Sequence, residues 1–191
     1  MFTVGSGFIG NFKLGDNINH NLAVLALLYR YSREGDAESK RLLCKPITIL
    51  LVSVIEAVLH DFHSRIRTFT WEGVINLPPS ISEYVRSLRR IDELEKYIAS
   101  AKKHDFFDAA DQGFYDQLDE LRRIRNRVHI QNLKGDFEAN DFNAFNDRRK
   151  VLAEKVLEKT MKVMLAKYPR TTDVQGYVAP FILPWNEHFP A

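Results

Sequence analysis

The sequence LDELRRIRNRVH, at residues 118–129, is the stretch that decides how this chain is expected to fold. Its apolar residues recur at helical spacing and form one side of a predicted helix, namely Leu121, Ile124 and Val128. At about 100° per residue, Arg122, Arg125 and His129 lie within roughly 60° of one another at the margin of that side. The spacing therefore predicts an amphipathic helix that faces the core on one side and gathers two guanidiniums and an imidazole on the other.

This polar side suits chemistry on a phosphodiester. A planar guanidinium grips phosphoryl oxygens with two parallel hydrogen bonds, and an imidazole with a pKa near 6.5 exchanges a proton with a ribose hydroxyl at neutral pH. Such chemistry requires no metal. Arg123 and Arg127 fall on the far side, where we expect them to be solvated. The spacing leaves a second interpretation open, a basic helix face whose arginines pair with Asp119 and Glu120.

The residues also carry a family resemblance. Arg125-Asn126 followed by His129 resembles the signature helix of the HEPN superfamily (higher eukaryotes and prokaryotes nucleotide-binding domains), written as Arg, four to six residues, then His, often with Asn after the Arg. Three residues separate Arg125 from His129, whereas Arg123 gives a spacing of five and Arg122 a spacing of six. The Asn therefore favours Arg125 as the motif arginine, the spacing favours Arg122, and both remain candidates.

A second similarity lies in LLVSVIEAVLHDF at residues 50–62, which resembles the long apolar helix that precedes the motif helix in the family. Together the similarities cover about residues 17–168. They imply a small all-α, HEPN-like helical bundle that dimerises with its two motif helices facing each other. Active members are metal-independent endoribonucleases, often toxins or antiviral effectors, in which the RNA's own 2′-hydroxyl attacks the phosphate. Other members have lost this activity and bind a nucleotide or a partner protein.

Carried over to this chain, the resemblance implies a catalytic set within the motif. His129 would be the general acid or base, Arg125 and Arg122 would stabilise the phosphate and the transition state, and Asn126 would orient the site. Glu56 enters from the residues themselves, because a carboxylate on an apolar helix is costly unless it is paired. The motif arginines are its expected partners, which would make Glu56 a supporting residue, and the alternative is a carboxylate open to solvent.

Composition bounds the organisation of the chain. With 191 residues, 45% of them hydrophobic, it can fill one core, and we divide it into an irregular N-terminal arm (1–16), a helical domain (17–168) and an extended C-terminal strap (169–191). A net charge of +2 excludes a globally basic nucleic-acid binder, so RNA affinity must come from local patches. The single Cys44 precludes an internal disulfide, and no secretory signal is recognisable, so we expect a cytoplasmic protein.

Helical periodicity and breakers predict five helices, at residues 17–34, 37–68, 81–103, 111–129 and 142–167. The second contains Pro46 and a nearly apolar run at 47–59, which is too short to cross a bilayer of about 30 Å and is predicted to be a core helix without membrane contact. Its polar residues form one stripe that faces either water or a cleft, made of Ser53, Glu56, His60, His63 and Arg67. In the strap, Trp185 is predicted to be an anchor rather than a base-stacking platform.

Three further arginines, Arg86, Arg89 and Arg90, lie on the third predicted helix. They are candidates for RNA phosphate contacts, and a solvated charged face is the simpler alternative. No cofactor and no metal are expected. GSGFIG at residues 5–10 matches a dinucleotide-binding pattern in letters only, since no strand can precede it, and His60 and His63 are too few ligands for zinc.

The sequence thus favours a metal-independent endoribonuclease that acts on RNA as a homodimer, in a toxin or phage-defence setting. An antitoxin or a nucleotide is a further candidate partner. The alternatives are a catalytically inactive HEPN-type domain that binds a nucleotide or a partner protein, and a helical regulator or scaffold in which His129 has no role.

Overall fold

The fold was analysed in a computed structural model, which describes residues 1–69, 72–88, 92–108, 113–129, 138 and 140–190. Helices dominate, so the all-α prediction is confirmed. The described elements are β1 (Phe2–Val4), α1 (Phe12–Glu34), α2 (Ala37–Thr68), α3 (Pro79–Ser87), α4 (Leu94–His104), α5 (Gly113–Asn126), α6 (Asp141–Ala144), α7 (Asp147–Lys167), a 3-10 turn (Thr172–Val174) and β2 (Phe181–Leu183).

Helix α2 is the centre of the bundle and packs against α1, α3, α4, α5 and α7. It spans the predicted residues, and it begins where the Asp36 side chain accepts a hydrogen bond from Ser39 N at 2.8 Å. Pro46 lies on its exposed side and does not end it. By length and composition the whole helix could cross a bilayer, although its apolar run had been expected to be too short. Half of its most apolar stretch is buried inside the protein, as in a core helix.

The two ends of the chain lie against each other rather than remaining irregular. β1 and β2 pair antiparallel, with Phe2 opposite Leu183, so the strap docks on its own subunit. A strand therefore does precede GSGFIG, contrary to the prediction, but it belongs to this two-stranded antiparallel pair and not to a parallel strand-helix unit. Trp185 is buried and packs edge-on against Phe2 with ring centres 6.3 Å apart, which confirms its prediction as an anchor. The arm is also shorter than expected, because α1 begins at Phe12 once the Asn11 side chain accepts a hydrogen bond from Leu14 N.

Two charged residues of α2 hold the arm and the strap in place from the core. The Asp61 carboxylate accepts hydrogen bonds from the backbone N–H groups of Gly10 and Asn11, at 2.8 and 2.9 Å. The buried Arg65 donates to the carbonyls of Phe8 and Tyr168, at 2.8 and 2.9 Å, and to that of Pro169, the first residue of the strap, at 3.5 Å. A Cβ on Gly10 would lie 2.6 Å from Arg65 Cγ, so this glycine of the GSGFIG sequence is required by close packing.

Further predicted helix boundaries, in the third and fifth predicted helices, are wrong. The third helix is two helices, α3 and α4, because α3 packs on α2 whereas α4 packs on both α2 and α5. α3 begins at Pro79, two residues before the predicted start at residue 81, and Pro78 precedes it. The last long helix begins at Asp147, where the Asn146 side chain accepts a hydrogen bond from Arg149 N at 3.0 Å and separates it from the short α6.

Candidate functional site

The motif helix α5 ends earlier than its sequence predicted. Leu121 and Ile124 are buried as expected, but the helix stops at Asn126 and the next residues form a turn. Val128 N donates to Arg125 O at 3.0 Å in this turn, and Val128 is exposed. The predicted alignment of His129 with the two arginines on one helix face is therefore wrong, because His129 lies beyond the helix.

Arg125 is held by Glu56 of α2. Its Nη2 lies 2.5 Å from Glu56 Oε2, and both side chains are about three-quarters buried. The expected pairing of Glu56 with a motif arginine is confirmed, and it joins the motif helix to the central helix. The Nε atom of Arg125 is buried and has no hydrogen-bond partner among the described residues. The guanidinium is thus fixed in orientation but not saturated.

Arg122 is engaged by two carboxylates. Its Nε donates to Asp119 at 2.8 Å, and its Nη1 donates to Glu95 of α4 at 3.3 Å. Arg123 pairs with the other oxygen of Asp119 and is more than half exposed, as expected. The alternative interpretation of the sequence, in which acidic neighbours neutralise these arginines, therefore applies to Asp119, whereas Glu120 pairs with Arg149 of α7.

Arg127 departs from its prediction as a solvated residue. It is buried and donates twice to Asp141 at the start of α6, at 3.0 and 2.8 Å. Asp141 also receives Lys45 of α2 at 2.5 Å. These ion pairs tether the chain just after α5, which gives a physical reason for the helix to end before His129.

A cleft of about 360 Å³, which we call the motif cleft, lies between α2, α4 and α5. It is lined by Glu56, Asp92, Glu93, Leu94, Glu95, Arg122, Arg125 and Asn126. It brings together three of the four predicted catalytic residues and their supporting carboxylate. His129 does not line it and is exposed in the turn beside α5. Among the described residues, four carboxylates and two guanidiniums line the cleft, so these residues together carry a negative charge.

A smaller cleft of about 290 Å³ adjoins the motif cleft and shares Glu56 and Asp92 with it. Ser53 and His60 open into it, and His60 Nδ1 lies 2.8 Å from the Tyr97 hydroxyl. Of the two surroundings predicted for the polar stripe, water or a cleft, this part of the stripe therefore faces a cleft.

The stripe does not continue to His63, which is buried in the core. Its side chain packs against Tyr97 and Phe106, and its Nδ1 lies 2.7 Å from Leu59 O. Burial lowers the pKa of His63 to about 4, so this imidazole is neutral at pH 7. In the described part of the chain, no group of three His, Cys, Asp or Glu residues could hold a metal ion.

The three arginines predicted to contact RNA do not form a common surface that can be described. Arg86 donates from Nε to Ile66 O at 2.9 Å and so satisfies a carbonyl in the last turn of α2. Arg89 and Arg90 lie outside the described residues. Arg86 has a structural partner, and the proposed phosphate contact of the other two remains a prediction.

The sequence reasoning missed a larger surface. A groove of about 960 Å³, which we call the basic groove, lies between the end of α1, the beginning of α2, α6 and the beginning of α7. The described cations that line it are Arg33, Lys40, Arg41, Arg148, Arg149 and Lys150. The only local signals were the short basic clusters at 40–41 and 148–150, which are far apart in sequence and become neighbours only in the fold.

Cys44 lies at the groove as a packed residue. It is buried, and its Sγ donates to Lys40 O at 3.4 Å. Burial raises the pKa of the Cys44 thiol, which therefore stays protonated at neutral pH. Cys44 is therefore a packing residue rather than a nucleophile.

Searches for similar proteins found no match among family models, curated proteins or solved structures. The resemblance to the HEPN superfamily therefore depends on the sequence segments quoted above.

Proposed function

We propose that this protein is a metal-independent endoribonuclease of the HEPN type, which acts on RNA as a homodimer in a toxin or phage-defence setting. The observation that carries the proposal is the end of α5. There Arg125 and Asn126 line a cleft, Glu56 fixes the guanidinium, and an exposed His129 follows within one turn. Fixed guanidiniums beside a solvent-accessible imidazole are the groups that phosphodiester cleavage by an internal hydroxyl needs.

The reaction assigns a task to each group. The 2′-oxygen of the ribose forms a bond to phosphorus while the bond from phosphorus to the 5′-oxygen breaks, which leaves a 2′,3′-cyclic phosphate and a free 5′-hydroxyl. His129 takes the proton from the 2′-hydroxyl or gives one to the departing 5′-oxygen, and water carries out the other of these two proton transfers. Arg125, and with it Arg122, stabilises the charge on the nonbridging oxygens, and Asn126 orients the substrate.

The charge of the motif cleft favours a site shared between two chains. In one chain the guanidiniums of Arg122 and Arg125 already face carboxylates, and His129 lies outside the cleft. A two-fold dimer in which the ends of the two α5 helices meet would set the imidazole of each copy against the cleft of the other. Light scattering at micromolar concentration without RNA should then give the mass of a dimer, and a monomer would contradict the shared site.

A second candidate function follows from the same ion pairs. Because carboxylates engage both motif arginines, the chain would be a silent domain, whose cleft suits a basic partner protein, or the base and ribose hydroxyls of a nucleotide rather than its phosphates. An antitoxin would be such a partner in a toxin system.

One experiment separates the two candidates. A 5′-labelled RNA is incubated with the protein in EDTA, and the products are tested for a 2′,3′-cyclic phosphate. Cleavage that persists in the chelator and disappears in His129→Ala, but not in His20→Ala, supports the ribonuclease; His20 is an exposed histidine of α1. Intact RNA together with a rise in melting temperature on adding a nucleotide supports the binding domain.

A further inference from the structure

We propose that the basic groove binds single-stranded nucleic acid through its phosphates. We further infer that the strand bound in the groove is the RNA that is cleaved at the motif helix, and this step rests on the proposed function. The first support is its charge, since six cations and three carboxylates line it among the described residues, the carboxylates being Glu120, Glu138 and Asp147. The surplus contrasts with a net charge of only +2 for the whole chain, so the groove is a local basic patch.

The second support is how few of these cations are neutralised. Within the described residues, Arg33, Lys40, Arg41 and Arg148 are exposed and have no ion pair. They come from three different helices, α1, α2 and α7, so the charge is spread over more than one side of the groove. Cations separated in this way fit several successive phosphates better than one isolated anion.

The third support is an aromatic ring placed among the cations. Phe142 of α6 is 59% exposed, and the guanidinium carbon of Arg41 lies 3.6 Å from its ring centre. Arg41 thus supports one part of the ring while much of the rest faces solvent. An exposed aromatic ring beside unpaired cations is a base-stacking arrangement, and it requires an unpaired base. This favours a single strand over a duplex and over an acidic peptide.

The groove is also connected to the end of the motif helix. Asp141, the residue before Phe142, accepts the hydrogen bonds of Arg127, and Arg127 is two residues before His129. Glu120 of α5 lines the groove directly. A strand bound on Phe142 would therefore be linked to the turn that carries the proposed catalytic imidazole through the ion pair of Asp141 with Arg127.

Binding is tested with a labelled 12-nucleotide 2′-O-methyl RNA, which has no free 2′-hydroxyl and cannot be cleaved by the proposed reaction. Fluorescence anisotropy is recorded over a series of salt concentrations. We expect Lys40→Ala/Arg148→Ala to weaken binding about 10-fold or more and to reduce the salt slope by about 1.4, at about 0.7 per lost phosphate contact. The matched control is Lys13→Ala/Lys103→Ala, which removes two exposed charges outside the groove.

Stacking is tested separately at Phe142. Because this side chain is exposed, Phe142→Ala should leave the melting temperature unchanged while it weakens binding at least about 5-fold, and Phe142→Tyr should bind like the unaltered protein. Unchanged binding in the groove variants would overturn the proposal. So would an equal loss in the control pair, because the attraction would then belong to the whole surface.

Cleavage of unmodified RNA by the same variants keeps the two proposals distinguishable. Binding that depends on the groove, without any cleavage, would support the binding role of the groove and contradict the ribonuclease proposal. If the groove variants cleave and bind RNA like the unaltered protein, the ribonuclease proposal is supported and the binding role of the groove is contradicted.

Discussion

Two regions of this protein gather arginines, and they differ in what those arginines already contact. In the motif cleft, Arg122 and Arg125 are held by carboxylates from α2, α4 and α5. In the basic groove, Arg33, Arg41 and Arg148 are exposed and have no ion pair among the residues that the structure describes. The attraction of a surface for an anion therefore depends on the charge that remains after internal pairing, and the number of arginines in a segment does not reveal it.

The same difference separates two tasks that a nucleic-acid enzyme must perform. Unpaired cations on a surface attract a phosphate chain from solution, and their contribution falls with salt. Paired guanidiniums attract little, but they are already oriented and lose little freedom when a phosphate arrives. On our proposals the groove binds and the motif cleft reacts, so substitutions in the two regions should affect different measurements.

The largest expected effect is that of His129→Ala. We expect single-turnover cleavage to fall about 100-fold or more, since general acid or base catalysis supplies a factor of about 10² to 10⁴. Because His129 is exposed, the circular dichroism spectrum of the variant and its binding of 2′-O-methyl RNA should match those of the unaltered protein. Retained cleavage would remove His129 from the mechanism, and a loss of folding would show that its role is packing.

The next effect ranks the two motif arginines. Arg125→Lys keeps the charge but loses the guanidinium fork, and we expect cleavage to slow by about 10- to 100-fold. Arg122→Lys should cost less, because Arg122 is turned toward Asp119 and Glu95. The rates are compared as single turnovers on one RNA. The opposite ranking would mean that the family spacing, rather than the Arg-Asn pair, marks the catalytic arginine.

The buried His63 contrasts with both groups of arginines, because neither solvent nor, among the described residues, a carboxylate stabilises the positive charge of its imidazole. Burial lowers the pKa of His63 in the folded protein to about 4, from 6.5 in the unfolded chain. Between these two pH values the unfolded chain binds a proton at His63 and the folded protein does not. The free energy of unfolding should therefore fall as the pH drops through this range, by about 2 kcal/mol between pH 7.5 and pH 5.

Urea unfolding at pH 7.5 and pH 5 measures this loss. His63→Phe keeps an aromatic ring against Tyr97 and Phe106 and should remove most of the pH dependence. His20→Gln, at an exposed position, is the control and should leave it unchanged. If His63→Phe shows the same loss at pH 5 as the unaltered protein, other groups are responsible.

The parts of the fold that sequence predicted well are those with local signals. α2 begins and ends at the predicted residues because Gly35-Asp36 gives a stop and a cap, and its apolar run needs a core. Glu56 was likewise recognisable, since a carboxylate on an apolar helix calls for a partner, and Arg125 is that partner.

The parts that sequence missed depend on contacts between distant segments. The end of α5 is tied by Arg127 to Asp141, and nothing within the motif itself signals this tether. Glu95, which engages Arg122, belongs to a helix that was predicted to be continuous with α3. The basic groove needs α2 and α7 side by side, and their cations are about a hundred residues apart in sequence.

The smallest effect tests the comparison most directly, by making the motif cleft more like the groove. Glu56→Gln keeps a hydrogen-bond acceptor near Arg125 but removes one negative charge from the cleft. The affinity for 2′-O-methyl RNA should rise about 3-fold at low salt, and the gain should disappear at high salt because the charge is partly exposed and screened. The free energy of unfolding should fall by less than about 1 kcal/mol, as for other partly exposed ion pairs.

Glu83→Gln on α3 removes an exposed carboxylate elsewhere and is the matched control. An equal rise in that variant would mean that the total charge of the protein, rather than the pairing inside each region, governs its attraction for nucleic acid.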